Sequence, residues 1–182
     1  VFALLALQAL PAYAQDSADG VEWDHARSRL QALPPGDMHM AVERWKLLVA
    51  NPGFSFNDYA GFLLAYPGLP EEAKLRGHAE AALDREIVPP AQIAAYFDRF
   101  PPTGNRARAQ YALALAALGR PEANQVGIEA WRGGAMSDAT EAALFARLAP
   151  SLTPADHDAR MDALLWANAG PAAQRQLTYV SP

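Results

Sequence analysis

The sequence has 182 residues, of which 51% are hydrophobic and 19% are charged. A chain of this size and composition can bury one or two packed cores, which excludes intrinsic disorder as its general state. The formal net charge of -5, with arginines spread along the chain, excludes the basic surface that nucleic-acid binding needs. The absence of cysteine excludes disulfides, thiolate metal sites and a thiol nucleophile.

The segment from Val1 to Ala14 has the pattern of a secretory signal peptide. An apolar run from Val1 to Leu10 is followed by Pro11 and then by Ala-Tyr-Ala at 12–14, a small-x-small cleavage site. The run is too short to span a bilayer, which takes about 20 apolar residues. We therefore predict a signal peptide at 1–14 that lacks its own beginning, cleavage after Ala14, a flexible tail at 15–20 and a periplasmic location. The alternative is a buried core helix.

Beyond the tail, amphipathic segments alternate with proline and glycine, which predicts a series of short helices. The first covers Val21 to Leu33, and the second covers Asp37 to Ala50. Ser55 is predicted to cap a third helix that runs to Tyr66. The apolar stripe of the second helix is predicted to face the core. That stripe consists of Met38, Val42, Trp45, Leu48 and Val49.

Later helix boundaries carry similar signals. Pro70-Glu71-Glu72 predicts a helix start, and Gly119-Arg120-Pro121 predicts the end of one helix and the start of the next. Thr153-Pro154-Ala155-Asp156 predicts a helix with Thr153 as its cap. The buried face of that helix is predicted to consist of Met161, Leu164 and Leu165. Altogether we predict about ten helices and no strand.

A short unit that joins two aromatic residues to a proline occurs twice, at Phe62 to Pro67 and again at Tyr96 to Pro101. The alanine-rich segments that follow also match, Ala73 and Ala82 with Ala107 and Ala116. The two units are about 34 residues apart, which is the period of tetratricopeptide-type helical hairpins. The alternative is chance similarity in an alanine-rich chain. We therefore predict an all-α fold over 21–182, a superhelical array of antiparallel helical hairpins in which aromatic side chains pack against alanines.

No catalytic residue, metal ligand or cofactor-binding residue is predicted in this chain, and no binding residue is assigned. The histidines lack the spacing of a zinc site, and consecutive residues such as Asp156-His157-Asp158 point apart on a helix, which favours a capping role. Glu72 and Arg76 predict a solvated surface pair. The tryptophans lie on helical stripes, which favours core packing over stacking on sugars. These histidines and tryptophans are His25, His39, His78, His157, Trp23, Trp45, Trp131 and Trp166.

Several stretches, taken in order, resemble the N-terminal superhelical region of soluble lytic murein transglycosylases. They are Tyr59 to Pro67, Phe100-Pro101, the helix around Trp131 and the stretch from Asp156 to Trp166. The last has the form Asp-His-x-x-Arg-x-x-x-Leu-Leu-Trp and is followed by Ala173-Gln174-Arg175. The resemblance extends from about Val21 to Pro182.

The resemblance implies a non-catalytic scaffold of a periplasmic peptidoglycan lytic transglycosylase. In that family a C-terminal lysozyme-like domain carries a catalytic Glu followed by Ser, and it cleaves the bond between N-acetylmuramic acid and N-acetylglucosamine to give 1,6-anhydromuropeptides. No Glu in this sequence is followed by Ser. We therefore expect the catalytic domain beyond Pro182 and expect this chain alone to be inactive. The implied partners are glycan strands and other cell-wall proteins.

Two other hypotheses remain at this point. The first is a free-standing periplasmic helical-repeat adaptor that binds a protein partner, because the concave surfaces of helical repeats commonly bind other chains. The second is a cytosolic tetratricopeptide protein, which requires the segment from Val1 to Ala14 to form a core helix.

Overall fold

The computed structural model describes residues 36–181, which form nine α-helices and one short 3-10 helix, with no strand among them. The predicted signal peptide, the tail and the helix at Val21 to Leu33 lie outside the described residues. The α-helices are α1 (Asp37–Ala50), α2 (Phe56–Ala65), α3 (Glu72–Ala82), α4 (Pro90–Arg99), α5 (Asn105–Ala117), α6 (Ala123–Arg132), α7 (Asp138–Leu148), α8 (Pro154–Trp166) and α9 (Gly170–Gln176). The 3-10 helix is Ala149–Ser151.

Backbone contacts divide the chain into two units, Val1–Val42 and Glu43–Pro182. The described part of the first unit is the beginning of α1. The predicted bounds of α1 are confirmed, but its apolar stripe is buried only in the second half of the helix. There Leu48 is fully buried, and Trp45 and Val49 pack against the same core. Met38 was predicted to lie on the buried stripe, and this is wrong, because it lies in the first turn and is 62% exposed.

The second unit is an array of four helical hairpins, which confirms the predicted all-α fold. The hairpins pair α2 with α3, α4 with α5, α6 with α7 and α8 with α9. Neighbouring hairpins then pack helix against equivalent helix, α2 on α4, α3 on α5, α5 on α7 and α6 on α8, and α5 also packs along α6. Such an arrangement lets each hairpin bury its apolar face on the next one.

The repeated aromatic-proline unit ends the first helix of a hairpin in both places. The helices α2 and α4 begin at Phe56 and Pro90, and each ends one residue before the second aromatic residue of its unit. The backbone N–H of Tyr66 donates to the carbonyl of Phe62 at 2.9 Å, and Phe100 donates to Tyr96 at the same distance. The two rings within each unit are 5.2 and 5.5 Å apart. The units are therefore structurally equivalent, and their spacing reflects the hairpin repeat.

The alanines of this repeat are less equivalent than their spacing predicted. Ala82 and Ala107 are buried within the core formed by the first two hairpins. Ala73, however, is exposed, and Ala116 is only partly buried. Ala73 lies in the first turn of α3, where the side chain faces solvent. The match of Ala73 with Ala107 in the sequence therefore does not extend to their burial.

Ser55 and Thr153 cap helices as predicted, and in both places the structure shows a reciprocal exchange of hydrogen bonds. At α2, the Ser55 hydroxyl accepts from the N–H of Asp58 at 3.2 Å, and the Asp58 carboxylate accepts from the N–H of Ser55 at 3.1 Å. At α8, Thr153 and Asp156 make the same exchange, with 2.7 Å from the Thr153 N–H to the carboxylate. Residues three apart thus satisfy N–H groups that have no partner inside the helix.

The buried face of α8 differs from its prediction. Leu164 is fully buried and Met161 is partly buried, but Leu165 is 60% exposed. Leu165 occupies the same position in its hairpin as Leu63, Phe97 and Trp131 occupy in the preceding three, because each is one repeat period from the next. Leu63, Phe97 and Trp131 are only 1 to 2% exposed. The prediction for Leu165 is wrong because α8 and α9 are the last described hairpin, and no described helix covers this face.

Candidate functional site

A cavity of about 480 Å³ lies between α6, α7 and the C-terminal end of the array. One face of α7 contributes residues at positions i, i+3, i+4 and i+7, which a helix brings into a single row. The helix α9 and the turn after it form the opposite side. The lining residues are Trp131, Asp138, Glu141, Ala142, Phe145, Arg175, Gln176 and Tyr179. We refer to this cavity as the C-terminal pocket.

The apolar wall of the C-terminal pocket is a cluster of aromatic rings. Trp131 stacks on Phe145 with a centroid distance of 5.3 Å and an interplanar angle of 26°. Phe145 also contacts Tyr179 at 5.2 Å, and Tyr179 stacks on His157 at 5.2 Å and 17°. Trp131 is nearly fully buried, whereas Tyr179 remains 45% exposed. The cluster therefore joins the core to an accessible ring at the mouth of the pocket.

A buried arginine lies behind this wall. The Arg160 side chain is fully buried, and its Nη1 donates to the carbonyl oxygens of Gly134 at 2.7 Å and Trp131 at 3.3 Å. Its guanidinium lies 4.2 Å from the centre of the Trp131 ring and forms an ion pair with Glu141 at 2.8 Å. Burial lowers the pKa of Arg160, and the negative charge of Glu141 partly opposes this shift. Arg160 thus holds α8, the end of α6 and α7 together.

The loop around Gly134, which Arg160 contacts, packs closely against α8. Gly134 has a φ of 89°, and a Cβ built at this position would lie 2.8 Å from the Cβ of Ala163. The backbone of the loop therefore approaches α8 closely, which brings the Gly134 carbonyl within reach of Arg160. A side chain at residue 134 would be incompatible with both the backbone conformation and the space.

Glu141 also pairs with a second arginine at the edge of the pocket. Arg175 donates to both carboxylate oxygens of Glu141, at 3.2 and 2.9 Å, and to Asp138 at 2.8 Å. The hydrogen bonds to Glu141 raise the pKa of Arg175. The side chain of Asp138 is 85% exposed, that of Arg175 is 45% exposed, and that of Glu141 is only 15% exposed. These groups form a polar rim next to the aromatic wall.

Gln176 and Ser181, near the end of the described residues, form hydrogen bonds with residues of α8. The Gln176 amide nitrogen lies 2.9 Å from His157 Nδ1 and 3.2 Å from the His157 carbonyl oxygen. Asp158 accepts hydrogen bonds from the backbone N–H and the hydroxyl of Ser181. Burial lowers the pKa of His157; Asp156 and Asp158 oppose this shift, and Arg160 adds to it. A neutral His157 is therefore part of the packing that holds Tyr179 at the pocket.

The structure separates the three polar residues at the start of α8. Asp156 caps the helix and pairs with Arg132, His157 packs among the aromatic rings, and Asp158 binds Ser181. Burial alone would raise the pKa of the Asp156 carboxyl, but the hydrogen bonds from Thr153 and Arg132 outweigh it and lower the pKa. The capping role predicted for this stretch is confirmed for Asp156. Among the described residues, no group of three histidine or acidic side chains is arranged to hold a metal ion.

The three tryptophans within the described residues have different environments. Trp131 belongs to the core, as predicted, and Trp45 is partly buried with its Nε1 donating to the Pro70 carbonyl at 2.8 Å. Trp166 is 89% exposed, so the expectation of core packing is wrong there. It lies at the last residue of α8, next to Leu165 on the same uncovered hairpin. Trp23 lies outside the described residues.

The predicted surface pair of Glu72 and Arg76 does not form. Glu72 accepts a hydrogen bond from the backbone N–H of Gly68 at 2.8 Å. Arg76 donates to the carbonyl oxygen of Pro101 at 2.6 Å and lies over the Phe100 ring. Arg76 therefore links α3 to the second aromatic-proline unit, an interaction that helical spacing does not reveal.

His39 and His78, the other histidines within residues 36–181, do not line the C-terminal pocket. His39 is exposed on α1, and His78 packs against Tyr59 with a ring separation of 5.5 Å. His25 lies outside the described residues.

Sequence reasoning did not locate the C-terminal pocket. Trp131 and Arg175, which line it, and Arg160, which lies behind its wall, occur in the stretches that carry the family resemblance, but none was assigned a binding role. Nothing in the local pattern pointed to Glu141 or Tyr179, because their partners lie on other helices. Comparison of the chain with protein-family models, curated proteins and solved structures gave no match. None of the helices within residues 36–181 is long and apolar enough to cross a membrane.

Proposed function

We propose that this chain is the non-catalytic helical-repeat scaffold of a periplasmic enzyme that cleaves peptidoglycan by the lytic transglycosylase reaction. The observation that supports the proposal best is the architectural position of the residues that carry the resemblance. Tyr66-Pro67 and Phe100-Pro101 end equivalent helices, and Trp131 and Arg160 join α6 to α8. The resembling residues therefore belong to one repeated framework, which supports the proposal.

In this proposal the array holds cell-wall glycan or neighbouring cell-wall proteins, while the chemistry belongs to a lysozyme-like domain beyond Pro182. The C-terminal pocket is the feature best suited to a binding role, because it combines aromatic walls with a few polar side chains. The export signal at 1–14 belongs to the same proposal. N-terminal sequencing of protein recovered from the periplasm should give Gln15 as the first residue.

The proposal is tested with purified peptidoglycan sacculi. The chain should sediment with the sacculi in a saturable manner and should release no 1,6-anhydromuropeptides, as measured by chromatography of the soluble fraction. An unrelated acidic helical protein of similar size serves as the control for trapping in the mesh. Sedimentation no greater than that of the control would contradict a scaffold role in the cell wall. Release of anhydromuropeptides would contradict the assignment of the chemistry to another domain.

A second candidate function is a periplasmic adaptor that binds a protein partner. It is favoured by the exposed apolar side chains of the last hairpin, Leu165, Trp166 and Leu177, which are 60%, 89% and 62% exposed. The coding sequence downstream of Pro182 distinguishes the two candidates. A lysozyme-like domain with a Glu-Ser pair supports the enzyme scaffold, and an immediate stop codon supports the adaptor.

A further inference from the structure

We propose that the C-terminal pocket is a binding site for an uncharged saccharide of the N-acetylated amino-sugar class. The existence of a ligand site follows from the pocket itself. The choice of an amino sugar from cell-wall glycan rests on the proposed function. The size, the walls, the polar rim, the charge balance and the length of the pocket lead to this ligand.

The size and the walls of the pocket suit a sugar. Its volume of about 480 Å³ lies within the range of small-ligand sites, roughly 300–1,000 Å³. A pyranose ring presents one face of C–H groups, which packs well against an aromatic ring. Tyr179 offers such a ring, because it is 45% exposed and is held in place by His157 and Phe145. An acetamido methyl group would find similar apolar surface at Phe145 and Ala142.

The polar rim matches the hydroxyl groups of a sugar. Each hydroxyl both donates and accepts, so it needs acceptors and donors side by side. Asp138 and Glu141 supply carboxylate oxygens, and Arg175 supplies guanidinium N–H groups within 3.2 Å of them. The carboxylate of Asp138 is open to a ligand, since 85% of its side-chain surface is exposed. A hydroxyl placed at this rim can therefore satisfy both of its roles.

The charge balance of the pocket excludes strongly charged ligands. The negative charges of Asp138 and Glu141 are matched by the positive charges of Arg160 and Arg175. A phosphate would meet the carboxylates of Asp138 and Glu141, and an ammonium group would meet the guanidinium of Arg175, with the buried Arg160 behind Glu141. Neither has a net opposite charge to compensate its desolvation. An uncharged ligand that exchanges hydrogen bonds with the rim avoids this cost.

The length of the pocket favours a saccharide over a peptide. Its row on α7 runs from Asp138 to Phe145, which corresponds to about 10 Å along a helix axis. An extended peptide covers that distance with about three residues. Such a short segment falls well below the roughly 800 Å² per partner of a standard protein interface. One or two sugar rings fill the same length.

The test uses the full chain and N,N′-diacetylchitobiose as the probe, with binding measured by isothermal titration calorimetry or by NMR chemical-shift perturbation. We expect one saturable site. Tyr179→Ala should weaken binding about tenfold or more, because it removes the accessible ring, and Arg175→Ala should weaken it through loss of the rim donors. Tyr179→Phe keeps the ring and should bind within about threefold of the natural chain. The matched control is Trp166→Ala, which removes the most exposed aromatic ring outside the pocket among the described residues.

Each result either supports or overturns the C-terminal pocket as the saccharide site. Loss of binding in Tyr179→Ala but not in Trp166→Ala, with unchanged helical circular dichroism, supports the pocket as the saccharide site. Absence of saturable binding, or equal loss in both variants, overturns it. Binding of a synthetic stem tetrapeptide in the pocket in place of chitobiose also overturns it, in favour of a peptide site. If chitobiose does not bind but the natural chain still sediments with sacculi, only the pocket assignment fails; if the natural chain does not sediment, the proposed function fails.

Discussion

At the scale of single residues, Arg160 shows how a charged side chain becomes part of a core. It is fully buried, and its charge is compensated by Glu141, two backbone carbonyls and the Trp131 ring. Removal of one partner from a buried ion pair leaves the other charge without compensation. The local sequence reveals none of this, because an arginine on an exposed helix face would have the same neighbours along the chain.

We therefore expect Arg160→Met to lower the free energy of unfolding by about 3–5 kcal/mol, the range for breaking a buried pair. Arg106→Ala is the control, because its ion pair with Asp84 is solvent-exposed at 3.2 Å and such pairs contribute less than about 1 kcal/mol. Urea unfolding followed by circular dichroism measures both. Equal destabilisation by the two substitutions would show that Arg160 does not organise the core.

His157 makes stability depend on pH. Burial lowers its pKa in the folded chain, so the unfolded chain binds a proton more readily, with a pKa near 6.5. The stabilisation from neutral His157 is therefore complete above about pH 7 and is lost as the pH falls through and below about 6.5. The charged groups near it are Asp156, Asp158 and Arg160.

We expect the natural chain to lose stability between pH 7.5 and pH 5.5, and His157→Gln to lose less over the same interval. The measurement is the urea midpoint at both pH values. His39→Gln, at an exposed position on α1, should retain the pH dependence of the natural chain. An unchanged pH dependence in His157→Gln would assign the effect to other groups.

At the scale of helices, two glycines with different roles give a matched pair of substitutions. Gly119 follows the end of α5 with a φ of 68°, a conformation that other residues adopt at a cost of about 1–2 kcal/mol. Gly77 lies inside α3, where glycine lowers helix stability by about 1 kcal/mol relative to alanine. A Cβ at either position would meet no atom within 4 Å apart from its chain neighbours and the backbone of its own helix, so the two positions differ in backbone conformation.

Gly119→Ala should therefore destabilise the chain by about 1–2 kcal/mol, and Gly77→Ala should stabilise it by up to about 1 kcal/mol. Thermal and urea unfolding of the two variants test the opposite signs. The same sign for both substitutions would contradict the assigned backbone roles.

At the scale of the whole molecule, the hairpin array distributes stability unevenly. The helix α5 packs against α3, α4, α6 and α7, whereas α9 packs its backbone closely against α8 alone among the described helices. In repeat arrays, local stability follows the interfaces that each unit forms with its neighbours. The C-terminal pocket, bordered by α9, therefore lies at the less stable end of this interface network.

Hydrogen exchange followed by mass spectrometry should show this gradient. We expect amides of α5 and α6 to exchange most slowly, at rates set by global unfolding, and amides of α9 to exchange through local opening. A saccharide bound in the pocket should slow exchange in α9 and leave α5 unchanged. Equal protection of α5 and α9 in the free chain would contradict the gradient.

By itself, the sequence determined the features that depend on neighbours a few residues apart. The caps at Ser55 and Thr153 and the helix ends at Tyr66 and Phe100 follow from hydrogen bonds between residues three or four apart. Repetition of this local pattern at a fixed period also predicted the array of hairpins. These interactions are encoded within a single helix and its ends, so the pattern of residues is sufficient to locate them.

Only the tertiary structure decided which side chains are covered and which meet. In the folded chain Arg160 is buried, whereas Leu165 and Trp166 are exposed. Arg76 donates to the carbonyl of Pro101 and does not pair with Glu72. The tertiary structure also brought Arg175 to Glu141, a residue of the preceding hairpin, and so formed the polar rim of the pocket. The physical reason is that burial and ion pairing depend on the neighbouring hairpin, and equivalent positions in the repeat differ where the described residues provide that neighbour on one side only.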